Sequence, residues 1–83
     1  GEVVQLFKKI GKDEAKATII ANLRDMHHCK WVNYCCAVHG IDDIEFSHKI
    51  LNSLIDERVV DVHLVSIPNG RLTMYRYNSF NDL

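Results

Sequence analysis

Hydrophobic residues recur every three or four positions through most of the chain, then switch to alternation near its end. The first period is that of a helix with one buried face and the second that of a half-buried strand. Val3, Leu6, Phe7 and Ile10 predict a short helix over residues 2–10, with Lys8 and Lys9 on its other side. Gly11 is suited to end it in the left-handed conformation. A second helix is expected from Asp13, an N-cap candidate, with Glu14 favourably placed against the helix dipole. Its apolar stripe is Ala15, Ile19, Leu23 and Met26, and Lys16, Arg24 and Asp25 face water.

Periodicity falters at His27-His28 and resumes in a helix expected from about Lys30 to His39, with Trp31, Tyr34, Cys35 and Val38 on one side. Gly40 has the place and chemistry of a helix stop. Ile41-Asp42-Asp43 makes a short loop in which Asp42 or Asp43 caps the next helix. That helix, about Ile44 to Arg58, buries Phe46, Ile50 and Leu54 and, a step round, Ser47, Leu51 and Ile55. Glu45, His48, Lys49, Asn52, Asp56 and Glu57 occupy the opposite face.

From Val59 to Tyr77 the pattern is that of two strands around Asn69-Gly70, a dipeptide that accepts the positive φ angles of a type I′ hairpin turn. That turn predicts the pairs Ile67–Leu72, Ser66–Thr73, Val65–Met74, Leu64–Tyr75, His63–Arg76 and Val62–Tyr77, with Pro68 opposite Arg71. One face then carries Val62, Leu64, Tyr75 and Tyr77 and is expected to pack on the helices. The other carries Val65, Ile67, Leu72 and Met74, then His63 and Arg76. It is too apolar for a bare surface, so either the helix over residues 2–10 covers it or a partner does. Residues 78–83 read as a loose tail.

The fold class is therefore α+β and mainly helical: a body of three or four helices with a C-terminal two-stranded hairpin. At 83 residues the chain is one domain with a modest core. Its 47% hydrophobic and 25% charged content argues against disorder. Its apolar runs are too short to span a membrane, and its opening lacks the apolar stretch of a signal peptide. Three cysteines, Cys29, Cys35 and Cys36, with two adjacent, fit a reducing compartment better than a disulfide framework, so an intracellular place is expected. Net charge is −1, but residues 1–40 carry six Lys/Arg against four Asp/Glu and residues 41–83 carry four against seven.

Helices, a short loop between the last two, then a hairpin resembles the winged helix-turn-helix superfamily over residues 13–77. Lys30–His39 stands where that superfamily has its supporting helix, Gly40–Asp43 its turn, Ile44–Arg58 its recognition helix and Val59–Tyr77 its wing. Residues 2–10 would be an addition. Tyr75-Arg76-Tyr77 is similar to the aromatic-basic strand that ends the DEP modules of signalling proteins. The resemblance implies a transcriptional regulator that binds double-stranded DNA as a homodimer. It places base contacts on Glu45, His48, Lys49 and Asn52, with Lys49 suited to guanine and Asn52 to adenine, and wing contacts on Asn69, Arg71 and Arg76. Lys30 would reach a phosphate. Asp43, Glu45, Asp56 and Glu57 stand against that function, because affinity for a duplex rests on neutralising phosphates. The alternative is a protein–protein interaction module on the same scaffold, docking through Val65, Ile67, Leu72 and Met74.

Other chemistry is not expected. His27, His28, Cys29, Cys35, Cys36 and His39 include metal-binding types, but they lack a paired Cys-x-x-Cys knuckle, so no metal or other cofactor is assigned. Cys35 and His39 lie one helical turn apart, yet no oxyanion-stabilising group accompanies them, so no enzymatic activity is assigned. Trp31 and Tyr34 are read as plugs between helices and sheet, and Lys8, Lys9, Lys12 and Lys16 as solvated surface.

Overall fold

The computed structural model describes residues 10–83. The helix expected over 2–10, with Lys8 and Lys9, lies outside the described residues apart from Ile10. Helix α1 spans Lys12–Ile20 and runs on as a π-helical turn over Ala21–Met26; α2 spans Tyr34–Ala37 and α3 Ile44–Asp56. Strands β1 (Val60–Ile67) and β2 (Gly70–Tyr77) form an antiparallel hairpin, followed by a 3-10 turn over Ser79–Asp82. The fold is α+β, with three helices and then the hairpin. No helix among the described residues is long and apolar enough to cross a membrane.

The core lies between α1, α3 and the base of the hairpin. Ala15, Ile19 and Leu23 meet Ile50, Leu51 and Leu54, and Ala37, Val38, Val60, Tyr75 and Tyr77 close the cluster. Fully burying one of the larger aliphatic side chains contributes roughly 1.5–3 kcal/mol, so Ile19, Leu23, Leu51 and Leu54 supply much of the driving force.

Helix α1 departs from expectation at both ends. Its N-cap is Gly11 rather than Asp13, and Gly11 is extended (φ −79°, ψ 171°) instead of left-handed. Asp13 and Glu14 sit in the first turn, where they favour the dipole. At the other end the winding loosens, and the His27 N–H reaches the Asn22 carbonyl five residues back at 3.0 Å. A wider turn rotates each residue less than the ~100° implied by 3.6 residues per α-helical turn. Met26 therefore falls short of the stripe and is exposed. Two successive left-handed residues, His28 (φ 53°) and Cys29 (φ 60°), then end the helix.

The helix expected over Lys30–His39 is reduced to Tyr34–Ala37. Asn33 caps it, its side chain accepting from the Cys36 N–H at 3.1 Å. Val32 is extended and exchanges two backbone hydrogen bonds with Tyr75, Val32 N–H to Tyr75 at 2.9 Å and Tyr75 N–H to Val32 at 2.7 Å. A β-branched residue offered a strand edge outweighs the local helical spacing. Cys35, expected on the packed side, is exposed. Gly40 does stop the segment in the left-handed region (φ 93°), and Asp43 caps α3 by accepting from the Phe46 N–H at 3.0 Å. Helix α3 ends at Asp56, two residues before Arg58, whose φ of 63° turns the chain into β1.

The hairpin forms with a different turn. Its loop is Pro68-Asn69, and Ile67 pairs with Gly70, Val65 with Leu72, His63 with Met74, Val62 with Tyr75 and Val60 with Tyr77. Proline is locked at negative φ, which suits the first central position of an ordinary turn with glycine last. Gly70, at φ 140°, alone takes the unusual conformation there. Every partner shifts by two residues, one full pleat, so face membership survives although the pairs do not. The inward face packs only at its base: Val60, Tyr75 and Tyr77 are buried, whereas Val62 and Leu64, expected against the helices, are 46% and 57% exposed on the projecting part. Residues 78–83 are not loose, since Tyr77 donates to Asp82 at 2.8 Å and Asn81 to the Arg58 carbonyl at 3.1 Å.

One buried polar side chain joins two of these elements. Asn22, on the π turn, donates from Nδ2 to the carbonyls of Ala37 (3.0 Å) and His39 (2.8 Å) as the chain leaves α2. Asn22→Ala leaves both carbonyls without that partner and is expected to lower stability by about 1–3 kcal/mol in chemical denaturation. An unchanged midpoint would show that water replaces the amide without loss.

Candidate nucleic-acid interface

Helix α3, 13 residues long, has a buried face and an exposed polar one. Ser47, Ile50, Leu51 and Leu54 are buried, while Glu45, His48, Lys49 and Asn52 are exposed. The spacing 45, 48, 49, 52 places those four side chains in one stripe on the outer face.

His48 is held more firmly than its exposure implies. Its ring stacks on Tyr34, centroids 4.5 Å apart and planes at 21°. Tyr34 is fixed in turn by its hydroxyl, which lies 2.6 Å from Ser47 Oγ. Ser47 donates to the Ile44 carbonyl at 2.8 Å, and the Tyr34 hydroxyl lies 3.4 Å from the same carbonyl. Helix α2 thus orients one residue of the stripe through a tyrosine rooted in the first turn of α3.

Charge around the stripe is less adverse than the sequence implies. Asp43 is the helix cap, and Glu57 pairs with Lys16 at 2.7 Å. Glu45 sits in the first turn, where a carboxylate complements the helix dipole. Part of the acidity of α3 is therefore the chemistry of the helix itself. Among the described residues Lys12, Lys30, Lys49, Arg58 and Arg71 have no ion-pair partner.

The remaining expected contacts fall in three places. Asn69 and Arg71 are exposed at the hairpin tip, and Lys30 is exposed on the extended segment after α1. Arg76 is committed elsewhere: it pairs with Asp61 at 3.1 Å and lies 4.4 Å over the ring of Trp31. Trp31 also meets His63, centroids 5.4 Å apart, so it shields the base of the outer hairpin face rather than plugging the core. Farther out, Val65 and Met74 are half-buried and Ile67 and Leu72 are 42% and 41% exposed.

Burial raises the phenol pKa of Tyr75 and of Tyr77, and the carboxylate of Asp82 adds to the second shift. Hydrogen bonding to Arg24 lowers the carboxyl pKa of Asp25. No three His, Cys, Asp or Glu side chains among the described residues gather as metal ligands.

Sequence reasoning missed Asn22, the Tyr34–Ser47 bond and the Trp31–Arg76–Asp61 cluster. Asn22 had a signal: it follows Ile19 by three and so falls on the buried stripe, where a polar residue needs a partner. The Trp31 cluster had none, because it joins residues far apart in sequence.

No protein-family model matches the chain, and no curated protein or solved structure matches it either.

Trp31 is the sole tryptophan, which makes the Arg76 cluster readable by fluorescence. Arg76→Ala is expected to shift its emission to longer wavelength and to reduce stability by no more than about 1 kcal/mol, the scale of an exposed cation–π contact. An unshifted spectrum would contradict the stacking.

Proposed function

We propose that the chain is a winged helix-turn-helix module that binds double-stranded DNA in a transcriptional regulator. Helix α3 enters the major groove and the hairpin tip touches the backbone. The observation that carries this reading is the exposed stripe Glu45, His48, Lys49 and Asn52, a row of hydrogen-bonding side chains along one face of a 13-residue helix. An α-helix fits the major groove, where lysine suits guanine, asparagine adenine and glutamate the amino group of cytosine. Arg71 and Asn69 supply backbone contacts from the tip, and Lys30 a phosphate contact. Arg76 acts by bracing Trp31 and Asp61 rather than by reaching DNA. The three helices followed by a hairpin are compatible with this layout.

A second reading has its own support. Val62, Leu64, Ile67 and Leu72 are all exposed on the projecting hairpin, more apolar surface than a wing that meets only phosphates needs. On that reading the scaffold serves protein–protein contact and the α3 stripe is a solvated face.

Fluorescence anisotropy on random and selected duplexes separates the two. Binding should appear at low salt and weaken steeply as salt rises. Lys49→Ala should cost roughly 1–3 kcal/mol on a selected sequence and relax its specificity, while Arg71→Ala should weaken all duplexes alike and lower the salt slope by about 1. Absence of binding at low salt would overturn the DNA reading.

A further inference from the structure

We propose that the free edge of β1 pairs with the same edge of a second copy of this chain, antiparallel and about a two-fold axis at Val62. One edge of β1 is committed to β2 over eight consecutive pairs. Along the other, no backbone group of Val60–Ile67 meets a partner among the described residues; the additional bridge, from Val32, goes to β2 at Tyr75. A row of unpaired N–H and C=O groups is a template for another strand, and proteins that avoid such pairing blunt the edge with lysine, proline or a bulge. β1 has no lysine or proline from Val60 to Ile67, and its register with β2 is unbroken.

Charge selects both the occupant and the register. Asp61 and His63 are the strand's two ionisable residues and lie on one face. Antiparallel pairing centred on Val62 sets Asp61 of each copy, which also pairs with Arg76 of its own chain at 3.1 Å, opposite His63 of the other, twice over. On the opposite face Val62 meets its symmetry mate, and Leu64 lies opposite Val60, whose side chain is already buried in the core of its own chain. Directly opposed polar side chains of this kind stabilise a sheet. Centring on His63 would set Asp61 against Val65, and centring on Leu64 would set it against Ile67, so in either case the carboxylate faces an apolar side chain. The favoured register also brings a partner to Val62, which is 46% exposed in the single chain. Arg58, at φ 63°, turns the chain away just before Val60, so the ladder ends there. Asn69 and Arg71 remain outside it, and the pairing depends on no nucleic-acid contact.

Size-exclusion chromatography with light scattering, on the full chain in reducing buffer over a concentration series, tests this. The mass should rise from 9.6 kDa to twice that value. Val62→Lys places two like charges on the axis and should hold the protein at the monomer mass, with an unchanged circular dichroism spectrum. Val62→Cys should cross-link two copies on mild oxidation far faster than Leu64→Cys or the unaltered chain. A monomer at every concentration, an assembly larger than two, a dimer that survives Val62→Lys, or equal cross-linking at positions 62 and 64 would each overturn the proposal.

Discussion

Two hydrogen bonds between Val32 and Tyr75 tie the hairpin to the helical body, and the path of the chain between the first two helices follows from them. A two-stranded hairpin is marginal in water by itself and needs a third strand or a packed face. Val32 supplies one residue of a third strand, and Tyr75, Tyr77 and Val60 supply the packed face. The bridge has a local cost. It holds Val32 extended, reduces the helix after it to four residues and follows a reversal through two left-handed residues, His28 and Cys29. Such conformations persist only where the surrounding structure over-determines them. Here the Cys29 N–H bonds the Leu23 carbonyl at 2.9 Å on one side of the reversal, and the bridge fixes the other.

Legibility in the sequence tracked how local the deciding interaction was. Helix α3 was readable apart from its last two residues, because its cap, its buried face and its polar stripe are separated by only a few residues. The hairpin was readable in its faces but not in its pairs. Alternation fixes which side chain points where, whereas the turn fixes the partners, and Pro68 moved the turn back by one residue. The segment Lys30–His39 was misread for a different reason. Its helical spacing is genuine, but Val32 answers to Tyr75, 43 positions away (75 − 32). The π turn is similar: Asn22 reaches the Ala37 and His39 carbonyls, and no local pattern announces that the helix loosens around it.

The candidate interface shows the same division. Its stripe on α3 was visible as periodicity, and all four side chains are exposed together. What the sequence could not provide was the environment of each charge. Asp43 and Glu57 are engaged within the fold, Arg76 is engaged with Trp31 and Asp61, and His48 is oriented by Tyr34. Among the described residues the cations without ion-pair partners are Lys12, Lys30, Lys49, Arg58 and Arg71, spread over α1, the extended segment, α3, its end and the hairpin tip. On the proposed DNA reading, a surface of that kind suits backbone contacts at several points better than a single anion site.

The bridge is open to direct measurement by amide hydrogen exchange, residue by residue, under native conditions. If it holds the hairpin to the body, the Val32 and Tyr75 amides exchange only on global unfolding, as slowly as those of Leu51 and Leu54 in α3. The tip amides around Asn69 exchange much faster. Exchange of Val32 and Tyr75 at the rate of the tip, with α3 still protected, would contradict the account.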